Sequence, residues 1–147
     1  MKSPMKLAKK FKALDITSAD VAFVAYGKTL SELFANAALA MFDVMINTSQ
    51  VKEKREVSIS LSGIDLNSMM FNWLNKLLLF VDSESLAFSR FEVSIDQKKM
   101  NLAATCFGEK ISEKMETRTE VKAATYHKMS IKKGSNGIWK ARVILDI

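Results

Sequence analysis

A chain of 147 residues, 48% of them apolar, is long enough to bury one core and short for two domains, and no apolar run in it could cross a bilayer. The amino-terminal residues lack the apolar stretch of a secretion signal, and one cysteine excludes an internal disulfide or a cysteine metal cluster, so a soluble, cytoplasmic protein is expected. The formal net charge is +6, and Lys2, Lys6, Lys9, Lys10 and Lys12, with no acid before Asp15, supply most of it. That distribution predicts a flexible basic tail over residues 1–14 and one domain over 15–147. Charge of this kind confers affinity for nucleic acid without specificity.

In chain order, Val21 to Tyr26 is a short β-branched and aromatic run that reads as a strand ending at Gly27 and Lys28. Thr29 and Glu32 have the spacing of a capping box. Leu30, Leu33, Phe34, Ala37, Ala38, Met41, Val44 and Met45 then form a helical apolar stripe, and the small Ala37, Ala38 and Ala40 suit a central position with close neighbours. Val57, Ile59 and Leu61 alternate with serines as a half-buried strand. After Gly63, Asp65 or Asn67 caps a second helix that carries Met70, Trp73, Leu74, Leu77 and Val81 and ends near Asp82. Phe91, Val93 and Ile95 and then Met100 to Phe107 make an antiparallel pair across Gln97 to Lys99. Residues 108–119 are strongly charged, show no period and read as a loop or a short exposed element. Tyr126 to Lys132 is a strand, residues 134–137 a turn, and Ile138 to Ile147 the last strand, with Trp139, Ala141, Val143, Leu145 and Ile147 on its apolar face. The fold class is α+β: a single domain with two main helices packed on an antiparallel or mixed sheet.

The residues offer few chemical constellations. Asp20 opens the first strand and Asp146 closes the last, positions where an aspartate is ordinarily a turn or cap residue. Cys106 lies in a strand and reads as a buried thiol. His127, the only histidine, alternates with Met129 and Ile131 and is expected buried, hydrogen-bonded to backbone. No serine–histidine–aspartate set, phosphate-binding glycine loop or zinc spacing is present, which argues against a self-contained enzyme.

The stretch ADVAFVAYGKTLSELFANAALAMFDVM (Ala19 to Met45) resembles the signature of the archease family. The likeness continues through Phe71-Asn72-Trp73-Leu74-Asn75-Lys76-Leu77-Leu78, Phe88-Ser89-Arg90-Phe91, Val121-Lys122-Ala123-Ala124-Thr125-Tyr126-His127 and the ending Ala141 to Ile147. The resemblance implies a non-catalytic accessory protein that activates the RNA-splicing ligase of the RtcB type in joining transfer-RNA exons, promoting guanylylation and repeated turnover of the ligase. Transfer RNA would then be met through the ligase. It also implies a divalent metal, calcium first with magnesium or manganese as alternatives, held by Asp20, Asp146 and the main-chain carboxylate of Ile147, since hard oxygen donors suit such ions. The family's usual Asp-His-Thr-Ala-Asp motif is altered: Ile16 stands where its first aspartate would, Thr17 in place of its histidine, and Asp15 lies one residue further off. Lys122 and His127 belong to a matching block and could contribute to a polar site. The alternative reading is a general protein chaperone or modulator of RNA-processing enzymes.

Overall fold

The computed structural model describes residues 9–17 and 19–147, with Asp15 and Ile16 described by backbone alone. The elements follow as β1 (Phe11–Ile16), β2 (Asp20–Gly27), α1 (Leu30–Met45), β3 (Arg55–Ser62), α2 (Leu66–Glu84), β4 (Leu86–Asp96), β5 (Asn101–Lys110), β6 (Ala123–Lys133) and β7 (Trp139–Asp146). They form two antiparallel sheets, of order β1-β2-β7-β6 and β3-β5-β4. The class is α+β, as expected, but the strands divide between two sheets rather than forming one.

Helix α1 lies between those sheets, touching β1, β2 and β7 on one side and β4 on the other. None of its sixteen residues is fully exposed, which is why its apolar character runs beyond a single stripe. Thr29 caps it by accepting from the Glu32 amide at 3.1 Å, while Glu32 Oε1 accepts from the Lys28 amide at 2.9 Å, one residue earlier than a standard capping box. Gly27 is needed for closeness rather than for backbone angle: a Cβ there would sit 2.3 Å from the Leu33 amide nitrogen. The glycine with a left-handed angle is Gly137, at φ 83°, in the turn between β6 and β7.

Helix α2 is amphipathic, exposing Asn72, Lys76 and Leu79 and burying Met69, Met70, Trp73, Leu74, Leu77 and Leu78. Asp65 is its cap, and Ser68 returns the bond to the Asp65 amide. The indole N–H of Trp73 donates to the Phe34 carbonyl at 2.9 Å and ties the two helices together. Around it, Phe42, Phe88 and Phe91 meet edge-on or tilted with ring centroids 5.7–6.2 Å apart. Each fully buried ring among them, Phe42 and Phe88, contributes about 1.5–3 kcal/mol relative to exposure.

Three expectations are corrected. Residues 11–14, assigned to the tail, lie in β1, where Phe11 pairs with Ala25 and Ala13 with Phe23; the expected tail residues 1–8 lie outside the described residues. The strand was hidden because it is a short, lysine-bearing edge with a register break between Ala13 and Asp15, so no alternation develops. His127 is exposed, not buried. A bulge between Thr125 and Ser130, with Lys128 at φ 53°, breaks the alternation that placed it with Met129. Trp139 is half-buried, with the Lys133 ammonium 5.9 Å from its ring centroid, rather than a core residue.

Candidate functional site

Strands β2 and β7 pair along their whole length, and in that register Asp20 stands opposite Asp146. The Ile147 amide donates to the Ala19 carbonyl at 3.0 Å. That bond makes Ala19 and Ile147 a hydrogen-bonded pair, so the adjoining Asp20–Asp146 pair is of the non-hydrogen-bonded kind. Such pairs bring opposed side chains closest, with Cβ atoms about 4.5–5.5 Å apart. The three residues singled out as metal ligands, Asp20, Asp146 and Ile147, are therefore brought together at one end of a sheet.

Local contacts hold this end in place. Thr17 accepts from the Asp20 amide at 3.0 Å and the Ala19 amide at 3.2 Å, and its own amide donates to the Asp20 carbonyl at 2.8 Å. On the far side of β7 the Lys122 amide donates to the Asp146 carbonyl at 2.8 Å, and Ala123 pairs with Asp146. Asn75 of α2 clamps the next residue: its Oδ1 accepts from the Ala124 amide at 3.0 Å and its Nδ2 donates to the Ala124 carbonyl at 3.1 Å. Thr17 and Asn75 were not singled out for this work. Their signal in sequence is faint, because a side chain bonding to backbone requires only a polar residue at a suitable distance.

Asp20 and Asp146 are exposed, and neither has a salt-bridge partner among the described residues. Two like charges directly opposed on a sheet are unfavourable. A hard divalent cation would remove that conflict, and carboxylate with main-chain oxygen is the donor set calcium, magnesium and manganese take. The fit is partial. The described residues contain no cluster of three or more His, Cys, Asp or Glu side chains, so water or a partner would have to complete the six to eight oxygens that calcium usually takes. The side chain of Asp15 lies outside the described residues; its backbone pairs with Ala22, in the same sheet.

The remaining reactive groups do not join this end. His127 and Tyr126 sit on the β6 bulge, and Tyr126 stacks on Phe71 with centroids 4.3 Å apart. Cys106 is fully buried, and burial pushes its thiol up to about 12, which removes it as a nucleophile near neutrality. Glu109 is held below the usual carboxylate range chiefly by the Lys52 amide, which donates to it at 2.7 Å, and it also pairs with Lys54 at 3.5 Å. The hollow lined by Lys10, Lys28, Glu32 and Asn36 offers no free acid–base pair: Glu32 is committed to the Lys28 amide, and the Asn36 amide group donates to the Tyr26 carbonyl at 2.7 Å.

Comparison with known proteins agrees with this architecture. The model of the archease protein family matches residues 11–147. The protein archease of Methanothermobacter thermautotrophicus is 46% identical over 141 residues, covering 95% of this chain and 99% of its own. That of Sulfolobus acidocaldarius is 44% identical over 139 residues, covering 94% and 99%. The solution structure of Methanobacterium thermoautotrophicum protein 1598 superposes with a TM-score of 0.82 at 46% identity, covering 94% of this chain and 99% of that one.

Proposed function

The chain belongs to the archease family, and from that premise we propose that it is an accessory protein that activates the RtcB-type RNA ligase in transfer-RNA splicing, promoting ligase guanylylation and multiple turnover. The observation that carries the reading is the cross-strand meeting of Asp20 and Asp146 beside the main-chain oxygens of Ile147. Those groups would hold one divalent cation, calcium or else magnesium or manganese, and the cation would supply positive charge at the contact with the ligase.

A small protein without its own catalytic constellation can accelerate an enzyme by binding more tightly to the conformation in which the enzyme's reacting groups are aligned. In this reading the residues of this chain hold and present charge. Thr17 and the Ile147 amide fix the Asp20 end of β2, while Asn75 and the Lys122 amide fix the neighbouring strand, so the two carboxylates are arranged before any partner arrives. The incomplete donor set leaves positions for groups from the ligase.

The test is stimulation of ligase guanylylation by substoichiometric protein. Wild type is expected to stimulate, whereas Asp20→Asn and Asp146→Asn should lose at least about tenfold of the effect, corresponding to about 1.4 kcal/mol or more of coupling. Their metal-free thermal stability should be equal to or slightly above wild type, because each change removes one of two opposed charges. Full stimulation by both variants would refute the site. Suppression of protein aggregation without any effect on the ligase would favour a general chaperone.

A further inference from the structure

We propose that the outward face of the β1-β2-β7-β6 sheet, at the end away from Asp20 and Asp146, binds the phosphodiester backbone of single-stranded RNA directly. Phe11, Ala13 and Phe23 face the hollow against α1, so the alternate residues of β1 and β2 face outward. The register then places Tyr26, Lys140 and Lys132 in one row, since Lys140 pairs with both Tyr26 and Lys132, and Lys10, whose carbonyl accepts from the Tyr26 amide, stands at the β1 edge of that row, where it also borders the hollow beside α1. The next row carries Lys12 and Arg142, which flank and pair with Val24 across β1 and β7.

Five cations thus occupy two adjacent rows about 7 Å apart on strands about 4.8 Å apart. None has an acidic partner among the described residues. The four lysines are exposed and Tyr26 is half-exposed. The Nε–H of Arg142 is buried with no hydrogen-bond partner among the described residues, a donor that a phosphate oxygen could take up after a side-chain shift. Two of these lysines belong to the segment expected as a tail, so part of the basic excess is arranged on a folded surface.

A sheet face carrying rows of cations beside an aromatic ring suits a single strand, whose charges are evenly spaced and whose bases can stack; it presents no helix to enter a duplex groove. The far end of the same face is acidic at Asp20 and Asp146, about 20 Å along β7 from Lys140, which confines a bound backbone to the basic end. The choice of RNA over DNA rests on the proposed role in RNA ligation, whereas the binding itself can be measured without a ligase.

The experiment is fluorescence anisotropy of a labelled oligouridylate with the full chain over a range of salt. Affinity should fall with salt with a log–log slope of about −3 to −4, each of five cations contributing about 0.7 on a single strand. Lys132→Gln with Lys140→Gln should cut the slope by about 1.4 and lower affinity about tenfold, as should Lys10→Gln with Lys12→Gln. Lys98→Gln with Lys99→Gln, the same charge change in the turn between β4 and β5, should leave both unchanged, and thermal unfolding should confirm that all three variants are folded. Equal effects from all three pairs, or no effect from the two face pairs, would overturn the proposal. So would face variants that bind oligouridylate normally but lose binding to polyglutamate, which would assign the face to an acidic protein, or tighter binding of oligodeoxythymidylate. Loss of RNA binding with ligase stimulation intact would leave the activator reading standing, and the reverse result would leave this one.

Discussion

The two tryptophans carry different weights, and the difference is set by what surrounds each ring. Trp73 is fully buried among phenylalanines and spends its indole N–H on the Phe34 carbonyl, whereas Trp139 is half-buried at the start of β7. Trp73→Ala should therefore cost about 3–5 kcal/mol in urea unfolding, a large share of a typical domain's stability, and Trp139→Ala about 1–2 kcal/mol. Similar losses at both positions would contradict the packing described. Glu109 makes a second residue-scale prediction. Its carboxylate is stabilised in the folded state by the Lys52 amide, so its contribution is present above the ordinary carboxylate range and is lost as the pH falls through the depressed folded value. Glu109→Gln should flatten the acid limb of a stability-against-pH curve; an unchanged limb would show that the bond to the Lys52 amide does not persist in solution.

Elements differ in how plainly the residues announced them. Helices α1 and α2 were legible because long periodic stripes and side-chain caps act locally, and β7 because Trp139, Ala141, Val143 and Leu145 alternate without interruption. Strand β1 was not, since six residues at a lysine-bearing sheet edge carry almost no period of their own and are recruited by β2. The β6 bulge was equally silent: three extra residues restore the alternation after shifting it, so Tyr126 and His127 read as ordinary strand positions. The candidate site was legible only by resemblance. An aspartate near each end of the chain says nothing about pairing until the register of β2 and β7 is known, and the supporting bonds from Thr17 and Asn75 use residue types found in any loop. Because β1 covers one edge of β2 and brings Phe11 over the core, deleting residues 1–16 should cost about 2–4 kcal/mol in thermal unfolding. An unchanged midpoint would show that β1 adds nothing to the domain.

At the scale of the whole molecule, the two sheets differ in how far apart along the chain their strands lie. The β3-β5-β4 sheet is assembled from the middle of the sequence, whereas the other joins β1 and β2 to β6 and β7 around everything in between. The first contacts are available early and the second are not. On a ribosome, β1, β2 and α1 emerge long before their sheet partner, and β2 must wait with one edge open while α2 and the smaller sheet are made. The pairing of Asp20 with Asp146 then waits until β7 has been made. A nascent chain stalled before β7 would have its helices without that pairing, so the proposed cation site can form only after β7 has been made.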